Sequence, residues 1–125
     1  MNKILGLFLA GLMIITGVLM SDAKSAIDPN AADYKEVRAA HILVDTKSQA
    51  NAVKYRIEGG EDFAKVAKQF SKCPSGQRGG DLGYFGRGQM VQEFETAAFN
   101  LPAGQLSDPV QTDFGWHIIK VIDKK

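Results

Sequence analysis

Residues 37–44 (V-R-A-A-H-I-L-V) and 116–122 (W-H-I-I-K-V-I) constrain this chain more than any other feature. Each run is apolar at both odd and even positions. A strand that alternates covers one face, whereas a run apolar on both faces has to be covered from two sides. Both therefore read as central strands under helices. Each carries one histidine, His41 and His117, and the chain has no others.

The segments between them supply the helices. Residues 48–58 place Ala50, Val53 and Ile57 at helical spacing, and Gly59-Gly60 stops the run. Asp62 caps a second helix whose Phe63, Val66, Ala67 and Phe70 form an i, i+3, i+4, i+7 stripe, and Pro74 prevents its continuation. Residues 91–101 make a third helix with Phe94, Ala97, Ala98 and Leu101 inward. Residues 105–111 are a strand interrupted by Pro109, hence at an edge. Residues 112–115 turn the chain into the last strand. The order strand, helix, helix, short strand, helix, strand, strand predicts a small α+β domain with α/β-type layering, its mixed sheet covered by helices.

One segment resists this reading. Residues 73–90 (C-P-S-G-Q-R-G-G-D-L-G-Y-F-G-R-G-Q-M) hold six glycines and the chain's one cysteine, with 81–85 the only strand-like part. So long a loop in a small domain reads as a working surface or as a disordered segment.

The start of the chain follows different rules. Lys3 precedes an apolar run from residue 4 to 20, then small and polar residues. This predicts a secretory signal, cleaved after Ala23 or Ser25; an uncleaved anchor fits the length as well. No cysteine lies there for lipid attachment. Either outcome exports the remainder to the periplasm or the extracytoplasmic face of the inner membrane. The expected division is 1–26 signal or anchor, 27–35 linker, 36–125 folded domain. Of fifteen basic and fourteen acidic residues, Lys3, Lys24 and Asp22 leave with the signal. The balanced remainder argues against nucleic acid or an anionic lipid surface as the main partner. One cysteine forms no internal disulfide, so Cys73 stays a thiol or pairs with another molecule.

From residue types alone, two histidines in apolar strands are satisfied core residues, and Leu82, Met90 and Phe94 pass as core. The spacing of His41, Cys73 and His117 carries no metal signature. A cysteine–histidine hydrolase is conceivable, but no helix N-terminus is evident beside Cys73 to activate it. Lys124-Lys125 reads as a solvated end, and Trp116 as packing.

Taken in order, H-I-L-V, D-F-A-K-V-A, C-P-S-G, R-G-G-D-L-G-Y-F-G-R-G-Q-M, F-E-T-A-A-F and F-G-W-H-I-I-K-V-I resemble the parvulin-type peptidyl-prolyl isomerases of exported bacterial proteins. The likeness runs from residue 37 to 122 without a long insertion. It implies a four-stranded sheet with three to four helices and no cofactor or metal. By this resemblance His41 and His117 are the histidine pair, with Cys73 facing them. Leu82, Met90, Phe94 and Phe114 form the proline pocket, and Gln89 and Thr112 are polar residues at its border.

The resemblance further implies a monomer that speeds X-Pro isomerisation in proline-containing polypeptides, with membrane contact only through an uncleaved leader. The alternative is a peptide-binding chaperone module using the same groove without turnover. Relatives that require phosphate before proline use a basic cluster after the first strand. Here that loop is Asp45-Thr46-Lys47, so a non-phosphospecific enzyme is expected.

Overall fold

The computed structural model describes residues 26–125; the expected signal or anchor lies outside the described residues, apart from its last position. The elements are β1 (Glu36–Val44), α1 (Lys47–Glu58), α2 (Phe63–Phe70), a 3-10 turn (Pro74–Arg78), β2 (Asp81–Gly86), α3 (Gln92–Asn100), β3 (Val110–Thr112) and β4 (Gly115–Lys124). A further 3-10 turn, Ala31–Asp33, precedes β1. The sheet order is β2-β1-β4-β3, with the two histidine strands at its centre.

Every pairing is antiparallel, which corrects the expected mixed sheet. Two helices intervene between β1 and β2, and β2 begins with Asp81 beside Ala40, midway along β1, and runs back to Gly86 beside Glu36. Such an out-and-back path re-enters the sheet running the other way.

Local chemistry sets the helix starts. Thr46 and Gln49 form a reciprocal capping box at α1. Asp62 accepts the Lys65 N–H at α2. Period-2 alternation then divides the core. On one face Val37, Ala39, Phe85, Ile119 and Val121 pack with Phe94 and Phe99 of α3. On the other, Ala40, Ile42, Val44 and Ile118 pack with Ala50, Val53, Phe63 and Val66 of α1 and α2.

Four details differ from the periodicity reading. Phe99, among the largest fully buried side chains, joins the α3 core, while Ala97 is only partly buried. Phe70 ends its stripe half-exposed, because Phe63, Val66 and Ala67 already close that cluster. The strand expected over 105–111 shrinks to β3 plus one bridge, Leu106 to Lys120, since Pro109 has no N–H to offer the ladder.

The C-terminal lysines are not both solvated. The Lys124 side chain is 3% exposed, pairs with Asp28 at 2.8 Å and donates to the Phe99 carbonyl at 2.7 Å. An ammonium in so closed a setting needs such partners to offset its lost hydration. Arg87 holds the same stretch from the other side, donating to the carbonyls of Ala31 and Tyr34 while its guanidinium lies over Phe99. Residues 28–34 thus lie clamped against the domain.

Candidate active site

His41 and His117 stand on neighbouring strands in a diagonal register: His41 faces Ile119, and Leu43 faces His117. Both side chains fall on the α3 face, and a diagonal pair is within reach of long or aromatic side chains. Their Nδ1 atoms lie 2.9 Å apart, with the rings nearly parallel at 18°. Phe94 meets both rings edge to face, at 5.4 and 5.3 Å.

The hydrogen-bond order follows from the donor inventory. Thr112 Oγ1 accepts the Phe114 N–H at 3.1 Å and lies 2.7 Å from His117 Nε2. Donating the hydroxyl proton to His117 Nε2 makes His117 Nδ1 the donor to His41 Nδ1. The proton of His41 then sits on Nε2, which has no partner among the described residues. The reverse order would strand the Thr112 proton as well, so the first is assigned. Burial pushes the His41 pKa down to about 4, and the neighbouring His117 adds to the effect. Burial alone brings His117 to about 4. Both rings are therefore neutral at pH 7.

Two glycines bring the chain close to these strands. Gly80, at φ 84°, would place a Cβ 2.3 Å from the His41 carbonyl oxygen, and that same stretch receives the His41 N–H on the Gly80 carbonyl. Gly115, at φ 137°, would place one 2.6 Å from the Val44 carbonyl oxygen. Any side chain at either position would push a histidine strand away.

Ser71 fixes Cys73. Its Oγ accepts N–H groups from both Leu43 and Cys73, while Lys72 N–H donates to the Leu43 carbonyl. Cys73 then caps the Pro74–Arg78 turn and accepts a hydrogen bond from Ser75 Oγ at 3.2 Å. The segment read from sequence as one irregular loop is therefore a 3-10 turn followed by β2. Beyond β2, Gln89 Oε1 accepts the Gly86 N–H and Glu95 Oε1 the Gly88 N–H, both at 2.6 Å.

A cavity of about 610 Å³ opens between these parts, with a predominantly apolar lining. His41, Cys73, His117, Leu82, Gln89, Met90, Phe94 and Phe114 all line it. Thr112 stands behind His117. Leu43, Lys72, Pro74 and Val91 also line it and were not singled out from sequence. Three of them are chain neighbours of Cys73 or Met90, and Leu43 follows His41 by two, so alternation along β1 was the available signal. Phe114, 70% exposed on its hairpin turn, stands at the mouth. Among the described residues no group of three His, Cys, Asp or Glu is arranged to hold a metal ion.

This much can hold a compact apolar ring against neutral hydrogen-bonding groups. It contains no carboxylate beside a histidine and no cationic cluster.

Comparison with known proteins adds to the geometry. The profile of the family described as "Rotamase: PPIC-type PPIASE domain" matches residues 32–123. A foldase protein PrsA of Geobacillus sp. (strain WCH70) is 57% identical over 95 residues, covering 74% of this chain and 34% of that protein. The chain thus spans about a third of the length of such curated relatives. The crystal structure of a peptidylprolyl isomerase (PrsA) from Bacillus anthracis superposes with a TM-score of 0.72 at 46% identity, covering 77% of this chain and 46% of that one. The solution structure of NmPin, the parvuline of Nitrosopumilus maritimus, gives a TM-score of 0.66 at 42% identity, covering 71% of this chain and 97% of that one.

Proposed function

The chain belongs to the PPIC-type, or parvulin, family of peptidyl-prolyl isomerases, and on that premise we propose that it catalyses cis–trans isomerisation of X-Pro bonds in exported polypeptides. The observation that carries this reading is the apolar cavity closed on one side by the paired neutral imidazoles.

The planar amide is held by resonance, and rotation crosses a barrier of ~18–20 kcal/mol. At the top of that barrier nitrogen and carbonyl no longer share electrons, and the amide is less polar. Leu82, Met90, Phe94 and Phe114 offer a water-poor cup for the proline ring while the preceding carbonyl turns. Such a cup favours the twisted amide over the planar one. Met90 adapts its shape and the phenylalanines supply rigid walls. Cys73 and the histidine pair shape the field around the rotating carbonyl without a covalent step. Gln89 and Thr112 border the site, Thr112 by fixing the His117 tautomer. No bond breaks and no cofactor is required.

Residues 1–26 act in this proposal as signal or anchor, 27–35 as the joining stretch and 36–125 as the catalytic domain, working as a monomer at the periplasm or the extracytoplasmic face of the inner membrane. The apolar leader supports export, and relatives named foldases support folding clients. The test is a proline-limited refolding reaction. Acceleration by substoichiometric protein is expected; acceleration only at stoichiometric amounts would replace the enzyme with a binding module.

A further inference from the structure

The 3-10 turn Pro74–Arg78 is pinned on both sides. Toward α2, Gly76 lies so close that a Cβ there would stand 2.9 Å from the Ala67 carbonyl oxygen. Toward β1, the Gly80 N–H donates to the Ser75 carbonyl at 2.8 Å, and the Gly80 carbonyl accepts the His41 N–H at 2.9 Å. Two backbone hydrogen bonds thus join Ser75 to the strand that carries His41. Ser75 itself does not line the cavity.

Ser75 is buried, at 2% exposure, and its hydroxyl reaches one partner among the described residues, Cys73 Sγ at 3.2 Å. A buried hydroxyl proton needs an acceptor, and the sulfur is the one in reach. Were the thiol to donate to Ser75 Oγ instead, the hydroxyl proton would be left buried and unpaired. The O–H, the stronger donor of the two, therefore donates to sulfur. Cys73 lines the cavity, and its side chain makes no other hydrogen bond among the described residues. With the turn side of the sulfur taken, the S–H is left to the cavity.

We propose that Ser75 is a positioning residue of the isomerase site: its hydroxyl keeps the Cys73 proton out of the turn and directs it to the nitrogen of the proline in the cup. The role rests on the isomerase reading above and gives the thiol its part in the rotation. In the planar amide the nitrogen lone pair is shared with the carbonyl and accepts no hydrogen bond; twisting returns the pair to nitrogen. A donor waiting there binds the twisted state and not the planar one, so it lowers the barrier. The same donor on the carbonyl oxygen would oppose rotation, because that oxygen loses negative charge on twisting. No bond is made or broken, and the thiol keeps its proton throughout.

Two measurements test this. Ser75→Ala keeps the backbone bond to Gly80 and removes only the hydroxyl. On a four-residue proline peptide it is expected to lower kcat about twofold to fivefold, the worth of one weak hydrogen bond, with KM unchanged. In a Cys73→Ala background the same substitution is expected to cost nothing further. Equal losses in both backgrounds, a loss confined to KM, or full activity in Ser75→Ala would each overturn the role. The second measurement is the infrared S–H stretching band, which is single because the chain has one cysteine. The free protein is expected to show an unbonded thiol whose band does not rise in Ser75→Ala. A band lowered by donation in the unaltered protein, and released upward in Ser75→Ala, would mean that the thiol points into the turn. If the unaltered protein turns over no proline peptide, the isomerase reading itself falls, while the band still decides where the S–H points.

Discussion

His41 and His117 meet through their Nδ1 atoms at 2.9 Å, inside a wall of phenylalanine. One proton serves that contact, so the pair is a neutral unit. A second proton in that contact would make His41 a cation in an apolar setting, its Nδ1–H facing the Nδ1–H of His117.

This sets the pH behaviour. An unfolded imidazole takes up its proton near pH 6.5, whereas both folded rings do so at about 4. Between those values the unfolded chain binds more protons, so stability is complete above pH 6.5 and falls as pH drops towards 4. The expected loss is on the order of a few kcal/mol for the pair, read from urea midpoints at pH 7, 5.5 and 4.5. Isomerase rates should show no histidine inflection between about pH 5.5 and 8, the window that holds the ordinary imidazole value. An inflection near 6.5 would contradict the neutral pair.

Thr112→Val keeps the shape of the side chain and removes its hydroxyl. His117 Nε2 and the Phe114 N–H both lose their partner. The expected cost is about 1–3 kcal/mol of stability, with kcat/KM down about tenfold, or 1.4 kcal/mol of barrier. The His117 ring nitrogens, seen by nitrogen-15 NMR, should move to a mixture of tautomers. An unchanged spectrum would remove Thr112 from the role of positioning residue.

Met90 lines the cavity and is only partly buried, so Met90→Ala leaves the fold intact. Its kcat/KM is expected to fall at least about tenfold. Cys73→Ala should cost less, because a non-covalent rotation loses only part of the field around the carbonyl. Inactivity of Cys73→Ala, alongside near-normal Met90→Ala, would point to a covalent route.

Phosphorylated Ser-Pro peptides should gain nothing over plain ones. The cation at the cavity rim, Lys72, is committed to Asp45 at 2.6 Å, and no arginine lines the cavity. A large rate preference for the phosphopeptide in a side-by-side turnover assay would refute this.

The sequence made the central strands legible because doubly apolar runs have few other uses. It also marked out the helices, whose caps at Thr46 and Asp62 are local chemistry. The antiparallel path was not legible, since it depends on where β2 docks beside Ala40 rather than on any residue's preference. Pro109 disclosed an edge but not how little of it would pair. For the site, the motif resemblance pointed to residues that now share a cavity, including Leu82, Met90 and Phe94, which otherwise read as plain core. It did not reveal Val91 or Lys72, which reach the rim of the cavity only as chain neighbours of Met90 and Cys73. Lys124 misled because burial of a terminal lysine requires Asp28, nearly a hundred positions away, and no local pattern announces such a partner.

The Arg87 clamp has a mechanical corollary. Its guanidinium grips the incoming chain at Ala31 and Tyr34, while two positions on the same backbone presents Gln89 and then Met90 to the cavity. A pull from the N-terminal side meets the Asp28–Lys124 pair before it reaches Arg87, so the last strand and α3 bear the first load and the joining stretch has no slack to give.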